Sequence, residues 1–262
     1  MEGSKIPHKR VGLALSGAVA RGAAHIGVLQ VLEREHIPID VVTGTSAGAL
    51  VGALYCAGFK PEQMKALIGR LGWTQVAGLA CSRQGFIRFN KLERYLIRCI
   101  GDLKFGELKR PFAAVTTDLA RGKPVVLREG RVARAVHASC AVPGFVVPVN
   151  IDGQLLCDGG VTANLPARAA RELGAEIVVG VDLFVHHVRK QWGPPGYGLA
   201  AFETLVRGSG DGLESADCLI TPDVAGHSYL CFGAYQELIA KGAAAAERKV
   251  DEIRRLLAET GA

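Results

Sequence analysis

No uninterrupted apolar run in this chain approaches the roughly 18 to 20 residues that a membrane-spanning helix requires. The basic residues at the amino terminus are followed by an apolar stretch too short for a secretory leader, and the charged Arg21 arrives soon after. Residues 1–10 therefore read as a polar tail and residues 11–262 as a single domain. Cysteine pairs are missing as well. The seven cysteines (Cys56, Cys81, Cys99, Cys140, Cys157, Cys218 and Cys231) are odd in number, scattered through apolar contexts and free of any C-x-x-C spacing. That pattern speaks for reduced, buried thiols in a cytoplasmic protein. There is no H-E-x-x-H, no cysteine and histidine cluster and no calcium loop, so neither a metal nor an organic cofactor is expected. Aromatic residues make up only 6% of the chain, and neither interleaved basic and aromatic residues nor zinc-finger spacing supports nucleic acid as a partner. Internal repeats, low-complexity tracts and linkers are absent too.

Glycine is the surplus. At 33 of 262 residues it is about 13% of the chain against a usual value of roughly 7%, so many positions need positive φ or close backbone approach. Apolar residues at 49% and charged residues at 21% are ordinary for a folded protein. The net charge of +6 is unevenly spread: from Arg83 to Arg134 there are thirteen Lys and Arg against five Asp and Glu, a local balance of +8. Such a segment reads either as a solvated face or as a surface for peripheral contact with an anionic membrane, at its inner face for a cytoplasmic protein.

Strand and helix patterns alternate along the chain. "VGLAL", "IDVVTG", "FAAVTTDL", "KPVVLREG", "EIVVGVDL" and "DCLITPD" read as strands, and "VNIDGQLLCDGG" as a hairpin turning at Asp152 and Gly153. "GAAHIGVLQVLERE", "SAGALVGALYCAG", "PEQMKALIGRL", "NKLERYLIRCIG" and "PARAARELG" read as helices, followed by one terminal helix within residues 233–259. The stretch "GWTQVAGLACSRQGFIRF" reads as irregular, either ordinary packing or an apolar lid. This alternation predicts an α/β fold of three layers, α/β/α, around a mostly parallel sheet.

Three segments carry chemistry. In "VVTGTSAGALVGA", Gly44, Ser46 and Gly48 form G-x-S-x-G between a strand and a helix, flanked by Thr45 and Ala47. A tight turn there strains the central residue and lifts its hydroxyl clear of the sheet; the plainer alternative is a serine cap. In "LLCDGGVTANLP", Asp158 ends a strand ahead of Gly159 and Gly160, as a carboxylate aimed by its backbone or simply as the end of a hairpin. A carboxylate pointed at a serine hydroxyl in a dry cleft can act as general base. The third segment, "SGAVARGAAHIG", ends a strand in the small-residue loop Gly17, Ala18, Val19, Ala20, Arg21, Gly22 at a helix start. It lacks the Lys-Ser/Thr of a P-loop and the middle glycine of a dinucleotide fingerprint, which leaves an anion cradle for a developing oxyanion. A Ser-His-Asp arrangement using His186, His187 or His227 stays open beside the Ser46 and Asp158 pair. Arg21 reads as a strut or a phosphate contact, His25 as a packed histidine, and Pro143–Gly144 as a turn near the site.

These segments, with "HASCAVPGFVVPV" and the trailing "NLP", resemble the patatin-like phospholipase family in order and context, over about Val11 to Pro166. The resemblance implies a patatin-like fold and a lipid acyl hydrolase with a lipid or phospholipid substrate. It further implies a Ser-Asp dyad without histidine, Ser46 as nucleophile and Asp158 as base, and Gly17 to Gly22 as the oxyanion loop. One departure stands out: the family's three successive glycines are here Gly17, Ala18 and Val19. If either substituted position requires positive φ, Ala costs about 1 kcal/mol or more and Val more still, so a weakly catalytic lipid-binding or regulatory member is the alternative.

Overall fold

The computed structural model describes residues 9–184, Tyr197 and residues 203–259. Its centre is an eight-stranded sheet of β1 (Val11–Leu15), β2 (Val41–Thr45), β5 (Phe112–Asp118), β6 (Lys123–Leu127), β7 (Val149–Ile151), β8 (Gln154–Asp158), β9 (Ile177–Val181) and β10 (Cys218–Ile220). The order is β10-β9-β1-β2-β5-β8-β7, with β6 also paired to β5. The β10-β9-β1-β2-β5 run is parallel, while β6, β8 and β7 join antiparallel. The mostly parallel α/β sheet is thus as the sequence predicts, with an antiparallel flank.

The parallel strands are buried on both faces, which is why they read as near-continuous aliphatic runs. Period-two alternation still sorts their side chains. Leu13, Leu15, Val42, Val179 and Val181 face the large core, whereas Ala14, Val41 and Val178 face a smaller one beneath α7 (Ala167–Glu172). The large core is covered by α1 (Ala23–Arg34), α2 (Ala47–Cys56), α3 (Pro61–Ile68), α5 (Asn90–Ile100), α6 (Val132–Ser139), α8 (Tyr235–Glu247) and α9 (Val250–Ala258). The small residues of α2 are nearly all buried. By contrast, α5 buries Leu92 and Leu96 and exposes Arg94 and Arg98.

Three sequence expectations need correction. The stretch read as irregular holds the short helix α4 (Trp73–Val76) and a two-stranded hairpin, β3 (Gly78–Ser82) with β4 (Gly85–Arg88). The single terminal helix is two, α8 and α9, separated at Arg248 and Lys249. Helix α6 was not anticipated, because only two turns separate its polar flanks. The hairpin at Asp152 and Gly153 is present, with both residues at positive φ (51° and 81°), the requirement of a type I′ turn.

Helices α1 and α8 touch backbone to backbone. A Cβ at Gly27 would overlap the Ile239 carbonyl, and one at Gly242 would overlap the Ala24 carbonyl. Gly27→Val is therefore expected to lower the urea midpoint by an amount equivalent to about 3 kcal/mol or more. Gly106→Ala, which meets nothing within 4 Å, should leave the midpoint nearly unchanged. Equal midpoints for the two variants would show that this helix pair does not pack as described.

Candidate active site

Strand β2 turns into α2 through one residue, Ser46, at φ 53° and ψ −118°. Only four non-glycine residues among those described have positive φ: Val19, His36, Ser46 and Asp152. Such a conformation costs on the order of 1–3 kcal/mol and persists only where its surroundings over-determine it. Here they do. A Cβ on Gly44 would enter the Gly48 carbonyl, and one on Gly48 would enter the carbonyl of Leu15 at the end of β1. The Ser46 N–H donates to Ser139 Oγ at 2.8 Å, and the Ser139 hydroxyl donates in turn to the Val115 carbonyl at 2.6 Å. Thr45 is fastened through its hydroxyl to the Ala163 carbonyl at 2.9 Å.

Asp158 arrives from the opposite direction. On β5, Val115 is the register partner of Thr45, and the next residue, Thr116, is the partner of Asp158. Since β6 occupies the other edge over both positions, β2 and β8 meet end to end along one edge of β5. Asp158 is buried. Its N–H donates to the Ala141 carbonyl at 2.9 Å, its carbonyl accepts from Thr117 Oγ1 at 3.0 Å, and its Oδ1 accepts from the Gly160 N–H at 2.8 Å. Gly159 cannot carry a Cβ, which would enter the Val115 carbonyl. Burial pushes the Asp158 carboxyl up to about 6, against the opposing pull of the Gly160 N–H and the Ser46 hydroxyl. The Cys140 thiol beside them is pushed up by burial and by the Asp158 charge, and its contact with the Ser46 side chain opposes that shift.

The loop from Gly17 to Gly22 lies against Ser46 and the start of α2. A Cβ at Gly17 would stand 3.0 Å from the Ser46 Cβ and 2.9 Å from Asn164 Oδ1, and the Gly17 N–H donates to that same oxygen at 3.2 Å. Gly22 faces Ala47, whose Cβ would stand 2.7 Å from its own. Ala18, at φ −168°, is extended and needs no glycine; Val19, at φ 49°, is in the left-handed region. The loop thus carries the strain at one substituted position and not the other. Among the described residues, none accepts from the Ala18 or Val19 N–H.

Arg21 turns inward. It is fully buried, donates from Nε and Nη2 to the His227 carbonyl at 3.0 and 2.7 Å, and stacks 3.7 Å from the Tyr229 ring centre. It ties the loop to residues 225–229, as does the Ala20 N–H on the Tyr229 carbonyl at 3.0 Å. His25 is a packed histidine, with Nε2 2.9 Å from the Ser16 carbonyl and burial lowering it to about 4. His227 Nε2 stands 3.1 Å from Glu237, and His137 Nδ1 stands 2.9 Å from Glu93. His186 and His187 lie outside the described residues. Pro143 and Gly144 form a turn, with Gly144 at φ 80°. A cavity of about 390 Å³ opens beside Asn164, lined also by Leu165, Asp182, Phe184, Val206 and Arg207.

Sequence reasoning missed Ser139 and Asn164 as the residues that hold Ser46 and the loop. Both lie inside stretches noted for other reasons, "HASCAVPGFVVPV" and "NLP", but only the fold pairs them with Ser46 and Gly17.

Residues 13–171 match a family model described as patatin-like phospholipase. Lysophospholipase nte1 of Aspergillus fumigatus is 33% identical over 181 residues, which is 67% of this chain and 12% of that protein. An uncharacterized NTE family protein of Mycobacterium tuberculosis is 36% identical over 186 residues, 70% of this chain and 51% of that protein. The chain spans about half the length of this mycobacterial relative and far less of the fungal one. Among solved structures, VipD from Legionella pneumophila superposes with a TM-score of 0.63 at 15% identity, over 94% of this chain and 67% of the other. The type III effector ExoU gives 0.51 at 14% identity, over 94% and 53%. Those two share the fold, while the extent of the family match and the identity to the curated relatives go further: this chain belongs to the patatin-like phospholipase family.

Proposed function

We propose that the protein is a serine acyl hydrolase that cleaves carboxylic ester bonds of lipids or lysophospholipids through Ser46 and Asp158. The observation that carries this reading is the end-to-end meeting of β2 and β8, which sets a strained serine hydroxyl against a buried carboxylate with a raised pKa. Asp158 takes the proton as Ser46 Oγ attacks the ester carbonyl. The tetrahedral oxyanion is received by N–H groups of the Gly17 to Gly22 loop, those of Ala18 and Val19 foremost. Asp158 returns the proton to the departing alcohol oxygen; the regenerated carboxylate then takes a proton from water, which attacks the acyl carbonyl, and passes it to Ser46 Oγ as the carboxylic acid is released. The lysophospholipase name of the fungal relative supports a lipid ester as substrate.

The alternative, a lipid-binding or regulatory member with little turnover, draws on Val19. Its left-handed backbone costs about 1–2 kcal/mol, a charge on stability that leaves both loop N–H groups in place. A fluorophosphonate probe separates the two readings: the hydrolase is labelled at Ser46, labelling disappears in Ser46→Ala, and a medium-chain p-nitrophenyl ester is turned over. A chain that is neither labelled nor active is a binder.

With Asp158 as base, kcat/KM for a soluble ester should climb as pH rises through about 6 and level off above it. Asp158→Asn should lose about 10² to 10⁴ in kcat; near-normal turnover of this variant, with loss on replacing His186 or His187, would replace the dyad with a triad. Because the folded state favours the protonated carboxyl, stability from this group is greatest below its ordinary value of 3.8 and is lost as pH rises through about 6. The difference between 3.8 and about 6 corresponds to roughly 3 kcal/mol. Asp158→Asn should therefore melt higher than the wild type at pH 8, and the gap should close below about pH 4. Ser139→Ala leaves the buried Ser46 N–H without its acceptor. It should cost about 1–3 kcal/mol in denaturant unfolding and lower kcat more than it raises KM.

A further inference from the structure

Outside the catalytic pair, large apolar side chains stand in solvent on the β3–β4 hairpin and on the turn beside it. Leu79 on β3 is 97% exposed, Phe86 on β4 is 74% exposed, and Phe145 is 51% exposed. Phe145 belongs to the turn at residues 143–146, which is stitched to the hairpin: the Phe86 and Ile87 N–H groups both donate to the Phe145 carbonyl at 3.0 Å, and the Val147 N–H donates to the Ile87 carbonyl at 2.9 Å. The stem is anchored, since Val76 and Phe89 are buried and Ile87 packs against the large core. The apolar tips are thus held outward by a fixed base. Large side chains in water on a hairpin, with Leu79 opposite Ile87 and Phe86 on the other face, and on the turn stitched to it mark an edge that meets something else.

Charge identifies the partner. Between Glu62 and Glu93 the sequence holds Lys65, Arg70, Arg83, Arg88 and Lys91 and no acidic residue, and Arg83, Arg88 and Lys91 are exposed beside the apolar tips. Apolar side chains ringed by cations suit an interface whose interior is hydrocarbon and whose outer layer is anionic. A second copy of the chain would instead press the same cations against each other. The patch also adjoins the reacting groups: Phe145 lies four residues beyond Ala141, whose carbonyl holds the Asp158 N–H, and five beyond Cys140 at the Ser46 side chain.

We propose that the β3–β4 hairpin and the turn at residues 143–146 are the surface by which this protein docks on an anionic lipid bilayer, Leu79, Phe86 and Phe145 entering the headgroup layer while Arg83, Arg88 and Lys91 meet lipid phosphates. The proposal rests on the lipid-hydrolase reading for its purpose, and its test does not depend on turnover.

The full chain carrying Ser46→Ala is sedimented with vesicles of phosphatidylcholine alone or of phosphatidylcholine and phosphatidylglycerol in equal parts. Binding to the anionic vesicles should be at least about tenfold tighter and should weaken with salt. Adding Leu79→Ser, Phe86→Ser and Phe145→Ser should weaken that binding by about tenfold or more. The same three substitutions on an intact Ser46 should leave soluble ester hydrolysis and the circular dichroism spectrum unchanged. Arg83→Gln with Arg88→Gln should remove only the preference for anionic vesicles. Equal binding to both vesicle types, or unchanged binding by the triple serine variant, overturns the proposal. So does a dimer in solution that the triple variant dissociates. A chain that docks as described yet hydrolyses no ester upholds the surface and overturns the catalytic reading alone.

Discussion

One edge of β5 holds the site together. It is shared by two strands running towards each other, β2 as far as Val115 and β8 from Thr116 onward. Backbone hydrogen bonds of a sheet are short and directional, so the register of two pairings fixes the separation of Ser46 and Asp158 without any help from their side chains. The antiparallel flank of an otherwise parallel sheet is what makes this possible, since only a strand of reversed direction can end where β2 ends.

Around that junction the structure accumulates features that oppose stability: a left-handed serine, a left-handed valine and a carboxyl buried deep enough to shift its pKa. The serine is held by close packing around Gly44 and Gly48 at the elbow, and the loop is tied at Gly17 to Asn164. Strain and desolvation concentrated in one place, and supported from outside it, are the usual mark of a site shaped by chemistry rather than by packing.

Much of this was legible in the chain. The aliphatic runs of β1, β2 and β9, the G-x-S-x-G turn and the Asp152–Gly153 hairpin follow from local rules that the fold obeys. What escaped was set by tertiary contact. Helix α6 is short, and its worth lies in Ser139, whose hydroxyl bridges Ser46 and Val115 across the sheet. The hairpin of β3 and β4 has no polar alternation to announce it, and Leu79 and Phe86 look like core residues until their exposure is known. Arg21 could be read as a ligand for phosphate because nothing nearby in sequence neutralises it; its acceptor, the His227 carbonyl, lies 206 residues away.

That distance has a consequence for what can be cut. The family match ends at residue 171, inside α7, yet β1 takes its outer neighbour from β9, and α1 takes its close helical partner from α8. Ser16, adjoining the loop, accepts from the Leu183 N–H through its hydroxyl. A fragment trimmed to the matched boundaries would expose a bare sheet edge and the naked flank of α1, and the Gly17–Gly22 loop would lose its tether. The smallest autonomous unit that can hold Ser46 and Asp158 in this arrangement is therefore longer than its recognisable signature, and extends at least to the end of α8.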